Sequence, residues 1–201
     1  RAKKGSIYEG GLRVPAILQW PARYQAGSID VPVFASDLYP TLLSITGAKV
    51  PHQPKLDGVD LSDILAGKQT RRPAMGFWHG FEGGQATYSD RTIKELMEAQ
   101  QAGLPNPHPE RLLKNVREFP TFDPDNLRGH AAWNQWPWKL HRIESNGNVR
   151  LELYQLEQDP MESNDLVEQH PERVAQMRGE LESWQRSVLD SWSGKDYARI
   201  E

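Results

Sequence analysis

The chain has 201 residues, a formal net charge of −3, 37% apolar and 25% charged side chains. This length suits one domain, or one and a half, around a sizeable core with a polar, soluble surface. Slight acidity argues against nucleic-acid partners, which need a clustered basic face, and no window approaches eighteen apolar residues, so neither a transmembrane helix nor a membrane partner is expected.

Residues 13–20 read as a short apolar strand between Pro15 and Pro21, suited to a sheet border. Ser36 can cap a helix with Pro40 in its first turn, Leu38, Leu42, Leu43 and Ile45 along one side, and Gly47 as its stop. A Pro- and Gly-punctuated loop covers 48–60, a helical turn 61–65 ends at Gly67, and 66–73 read as a surface crossing. Residues 74–79 look like a strand. Residues 89–102 form an amphipathic helix with Ile93, Leu96 and Met97 on one face and Gly103 behind it. Between 104 and 128 little periodicity appears beyond a turn of helix at 110–116. Residues 138–144 and 149–156 alternate around Asn146-Gly147, the pattern of a tight β-hairpin. Pro171 then opens a helix whose apolar stripe runs through Val174, Met177, Leu181, Trp184 and Val188.

The richest segment is the first: Lys4-Gly5-Ser6-Ile7-Tyr8-Glu9-Gly10-Gly11-Leu12-Arg13-Val14-Pro15. Glycines let the backbone turn and approach closely, while Lys4 and Arg13 bring positive charge to one neighbourhood, an arrangement suited to holding an anion. The segment resembles the lysine-bearing stretch of the type I (formylglycine-dependent) sulfatases, whose fold is alkaline-phosphatase-like. Further similar segments follow in order: Ser36-Asp37-Leu38-Tyr39-Pro40-Thr41-Leu42-Leu43 closing at Gly47, Leu56-Asp57-Gly58-Val59-Asp60-Leu61, and Leu153-Tyr154-Gln155-Leu156 with Asp159-Pro160.

The resemblance implies an α/β fold in its C-terminal part. Residues 1–73 would form the edge of the large domain, and 74–201 a smaller α+β subdomain with an antiparallel sheet and terminal helix. It implies a sulfuric ester hydrolase, probing sulfated carbohydrate or another sulfate ester, in a periplasmic or secreted setting. Such an enzyme uses Ca2+ and a formylglycine made from Cys/Ser-x-Pro-x-Arg. The chain has no cysteine, and no serine is followed two residues later by proline, so nucleophile and metal cage are expected upstream and the fragment alone is expected to be inactive. Two other readings stay open: a non-catalytic carbohydrate-binding or interaction remnant, and a phosphate- or phosphonate-ester hydrolase of the same superfamily.

By the resemblance, Lys4 matches the lysine that contacts sulfate. A fixed cation there would stabilise charge on the nonbridging oxygens, against the plainer reading of an exposed lysine. Glu9 reads as scaffolding for its turn, bonded to Arg13. Among the histidines, His79 and His130 lie at element edges beside glycine and tryptophan, a composition suited to a sugar ring; otherwise they satisfy local backbone. His141 reads as surface or packing and His170 as structural. Trp133 is a candidate stacking surface, whereas Trp136 and Trp138 read as core. No histidines stand three or four apart, so no metal site is expected. Asp125-Asn126 imitates a calcium-binding pair, but it follows the lysine segment instead of preceding it and reads as a turn.

Overall fold

The structure, a computed structural model, describes residues 1–79, 88–107 and 127–196. The expected helical turn at 110–116, His108 and the Asp125-Asn126 pair lie outside the described residues.

A four-stranded antiparallel sheet organises the second half, in the order β1 (Met75–His79), β2 (Gly129–Gln135), β3 (Trp138–Ser145), β4 (Asn148–Gln155). The β3–β4 hairpin turns at Asn146 and Gly147, with φ of 53° and 79°. Two successive positive φ values match the right-handed strand twist, which is why Asn-Gly occupies this turn. The expected hairpin is present.

Alternation gives the sheet two different faces. One carries Leu140 and Leu153, which pack with Val174 and Met177 of the terminal helix α5 (Pro171–Trp192), with Trp133 and Trp138 alongside. Leu140, Leu153 and Met177 are wholly buried, and truncating such a side chain to alanine costs about 2–5 kcal/mol. The other face carries Asn134 from β2, Lys139 and His141 from β3, and Glu152 and Tyr154 from β4. These polar groups are buried too, and residues 1–12 lie over Lys139, His141, Glu152 and Tyr154.

The first half is held to the sheet by specific bonds. A 3-10 turn (Ala35–Asp37) runs into α2 (Leu38–Thr46), which ends at Gly47 in the left-handed region. Asp37, fully buried, accepts from the Phe34 and Val59 N–H groups, both at 2.9 Å, and from both arms of the Arg72 fork at 2.6 and 2.9 Å. Burial alone would raise the Asp37 carboxyl, but Arg72 and the two amides outweigh it and hold it below the ordinary carboxylate range. Phe34 meets Phe77 of β1 at a ring separation of 5.2 Å, and Trp184 of α5 donates to Asp57 at 3.1 Å. A short helix, α3 (Ser62–Leu65), and a longer one, α4 (Tyr88–Gln101), complete the helices among the described residues, with a single turn, α1 (Glu9–Leu12), near the start.

Several expectations are corrected. Residues 13–20 form no strand: no described segment pairs with them, and Val14, Ile17 and Leu18 stand 78%, 96% and 57% exposed. A strand needs a neighbour for its backbone groups, and local apolarity cannot supply one. The N-cap position of α2 is Asp37 rather than Ser36, and Asp37 makes no side-chain capping bond to the helix; its carboxylate accepts the Phe34 N–H at the start of the 3-10 turn instead. On α4, Ile93 and Met97 remain exposed, while Ala99 is buried. On α5 the stripe holds through Val174, Met177 and Leu181, then continues along Gln185 and Leu189. Two successive steps of four follow the helix period, so Trp184 is left at the side, beneath β1.

Candidate functional site

The lysine segment is built as a folded knot. Ser6 N–H donates to the Lys3 carbonyl at 3.1 Å and Gly10 N–H to the Arg1 carbonyl at 3.0 Å. A Cβ on Gly10 would stand 2.3 Å from the Ala2 carbonyl oxygen, and one on Gly11 2.2 Å from that of Ser6. Only glycine permits that backbone-on-backbone approach. Lys4 sits in the tight turn at the top of the knot, exposed to solvent.

Beneath the knot lies a buried ionic cluster. Lys139 Nζ is 2.7 Å from Glu9 Oε1 and 3.1 Å from Glu162 Oε1. Lys139 and Glu162 are fully buried. The second Glu162 oxygen accepts the Glu9 backbone N–H at 2.6 Å, so Glu9 is bound twice, by main chain and by side chain. Its expected partner Arg13 is not involved; Lys139, far along the chain, takes that place. Charges removed from water must be paired and hydrogen-bonded, and here each is.

The cluster continues into two imidazoles. His141 Nε2 lies 2.7 Å from Glu162 Oε1 and its Nδ1 lies 2.8 Å from His130 Nε2. Burial alone would raise the Glu162 carboxyl, but the His141 bond, the Lys139 ammonium and the Glu9 amide outweigh it, pulling it down to about 2. An ionised Glu162 can only accept, so His141 carries its hydrogen on Nε2 and accepts at Nδ1. His130 must then donate from Nε2, leaving its Nδ1 as an acceptor. Burial, assisted by the neighbouring His141 and Lys139, lowers His130 to about 3, so it stays neutral; burial likewise lowers His141.

A second group locks the other end. Tyr8 stacks on His141 with ring centroids 4.5 Å apart and meets His130 edge-on at 5.1 Å. Its hydroxyl donates to Glu152 at 2.6 Å, where Tyr154 at 2.9 Å and Arg1 at 2.8 Å converge. Burial and the Glu152 carboxylate push the Tyr8 hydroxyl up to about 12. Arg1 also covers the Tyr8 ring at 4.1 Å.

The expected site residues thus divide between two surfaces. His79 and His130 are register partners on β1 and β2, on the sheet face that carries the Lys4 knot. Trp133 lies on the opposite face, its indole N–H donating to Glu180 of α5 at 2.8 Å and its ring 6.3 Å from Trp184. His141, read as surface or packing, is instead the centre of the buried cluster. Trp138 packs in the core as expected, while Trp136 is 38% exposed. His170 precedes α5 with its ring against Trp138 at 4.9 Å. Lys139, Glu152 and Glu162 went unnoticed in the sequence; the sign was an alternating lysine and histidine on strands otherwise buried. Among the described residues no three His, Cys, Asp or Glu side chains gather to hold a metal ion, and no helix is long and apolar enough to cross a membrane.

No protein-family model matches the chain. It is 45% identical to human steryl-sulfatase over 77 residues, which is 38% of this chain and 13% of that protein. It is 43% identical to bovine arylsulfatase A over 67 residues, 33% of this chain and 13% of that protein. An uncharacterized sulfatase of Escherichia coli K12 is 26% identical over 194 residues, 94% of this chain and 31% of that protein. Among solved structures, a sulfatase described with glycosaminoglycan metabolism in Bacteroides thetaiotaomicron superposes with a TM-score of 0.56 at 21% identity, over 90% of this chain and 30% of its own. A second, described in complex with its substrate D-glucosamine-2-N,6-O-disulfate, gives 0.52 at 19% identity, over 99% of this chain and 32% of its own. The chain therefore spans a third or less of the relatives it matches. By these likenesses the chain is similar in sequence to part of the sulfatases.

Proposed function

We propose that the protein containing this chain hydrolyses the sulfate esters of sulfated carbohydrates, with Lys4 holding a sulfate oxygen. The observation that carries this reading is the clamp under Lys4: Glu9 is tied to Lys139 by its side chain and to Glu162 by its N–H. An exposed ammonium is useful to a transition state only if its backbone is fixed beforehand, because reorganisation at the moment of reaction would cancel the gain. The knot supplies that rigidity. His130, neutral and with Nδ1 accepting, offers a sugar hydroxyl an acceptor on the same face, with His79 beside it in register. The structural neighbour described in complex with a disulfated glucosamine supports the carbohydrate class.

On this reading residues 1–73 belong to the large domain and 74–201 to the smaller one, in a secreted or periplasmic enzyme. Calcium and formylglycine would supply Lewis-acid and nucleophilic chemistry there. The described residues offer no cage for such an ion, and no step is assigned through it.

The test is sulfate release from glucosamine 6-sulfate by the complete gene product. Lys4→Ala should lower kcat by about a hundred- to a thousandfold, and the 201-residue chain by itself should release none. Undiminished turnover with alanine would remove Lys4 from the reaction. Faster release of phosphate from glucosamine 6-phosphate would move the assignment to phosphate esters.

A further inference from the structure

At the end of the sheet away from His79 and His130, a cleft of about 250 Å3 opens between the loop before α2, the entry to β1 and the β2–β3 turn. Phe34 and Pro73 are among its apolar walls, and Arg71, Asn134, Gln135 and Trp136 also line it. Its polar groups are unusual. Asn134 is only 7% exposed, and its side-chain amide has no hydrogen-bond partner among the described residues. Its residual exposure opens into the cleft that it lines. Trp136 is 38% exposed beside it, and its indole N–H likewise has no hydrogen-bond partner among the described residues. Arg71 is exposed and forms no ion pair among the described residues, in contrast to its neighbour Arg72, which is committed to Asp37.

We propose that this cleft is a binding subsite for one anionic sugar residue: Trp136 stacks on the ring, the Asn134 amide bonds its hydroxyls, and Arg71 takes the sulfate. The class follows from the lining. An amide both donates and accepts, as vicinal hydroxyls do; a flat indole with a free N–H suits a ring with one apolar face; and a guanidinium suits a planar or tetrahedral oxyanion. The volume admits one monosaccharide and little more. Identifying the sugar as sulfated rests on the proposed function, but the site itself does not depend on Lys4. It would hold a residue of the chain being processed other than the one losing sulfate.

The experiment is two-dimensional NMR of the complete gene product carrying Lys4→Ala, titrated with glucosamine 6-sulfate, glucosamine and inorganic sulfate. Glucosamine 6-sulfate should move the Trp136 indole and Asn134 side-chain amide signals, and glucosamine should move the same signals more weakly. Arg71→Ala should weaken the sulfated sugar about tenfold and leave glucosamine unchanged, whereas Trp136→Ala should weaken both by tenfold or more. Asn134→Asp, close in size, should weaken the sulfated sugar by charge repulsion and so serves if the tryptophan variant fails to fold. Shifts confined to other residues, or parent-like binding by both the Arg71 and Trp136 variants, would overturn the subsite. Inorganic sulfate reproducing every shift would reduce it to an anion site, which also overturns it. Binding that persists while the complete protein releases no sulfate would sink the proposed reaction and leave the subsite standing.

Discussion

Lys139 reaches Glu9 across 130 positions of sequence, and the 2.7 Å bond between them joins the lysine knot to the middle of the sheet. The ammonium is wholly buried and shared with Glu162, so one side chain compensates two carboxylates that have left water.

Removing it should be costly. Lys139→Met keeps most of the volume but strands Glu9 and Glu162, and breaking a buried pair in this way costs about 3–5 kcal/mol. Urea unfolding should show the loss, and the double variant Lys139→Met/Glu162→Leu should recover part of it. A cost below about 1 kcal/mol would mean that the cluster is solvated.

Acid should loosen the clamp in two stages. His130 is held down at about 3 against an ordinary 6.5; the unfolded chain therefore binds the extra proton first, and stability falls as pH drops below 6.5 towards 3. Glu162, held at about 2 against 4.5, contributes stability that is full above 4.5 and is lost as pH falls towards 2. Both run the same way, since in each window the unfolded state binds more protons. Melting temperature measured from pH 7 to 3 should decline in the parent. In Glu162→Gln it should start lower and decline less below pH 4.5.

The bond directions are open to measurement. Nitrogen-15 shifts should place hydrogen on Nε2 of both His130 and His141, with both Nδ1 atoms bare at pH 7. Glu162→Gln presents an amide that can donate as well as accept, so His141 loses its orienting partner and its tautomers should mix. An unchanged spectrum in that variant would show that Glu162 does not set the direction.

Arg72 should resist replacement by lysine. Its fork meets both oxygens of buried Asp37, a geometry that a single ammonium cannot copy. Arg72→Lys should cost about 1–3 kcal/mol, read by denaturant unfolding; equal stability would mean that the two backbone amides suffice for Asp37.

Much of the architecture could be read from the chain. The Asn146-Gly147 turn, the hairpin around it, Gly47 ending α2 and the first turns of the α5 stripe are local features, because turn dihedrals and helix period act over a few residues. The Lys4 motif with its three companion segments carries the likeness to sulfatases. Other features had no local sign. Residues 13–20 look like a strand, but whether they become one depends on a neighbour.

The sequence by itself therefore determined the hairpin, the Gly47 end of α2 and the likeness to sulfatases, each encoded by adjacent residues or by ordered motifs. The tertiary structure alone decided that Glu9 meets Lys139 and not Arg13, that His141 sits in a buried ionic chain, and that Trp133 and His130 face opposite ways. Those outcomes depend on which strands pair and in which register, and a shift of one residue would exchange the two faces of the sheet.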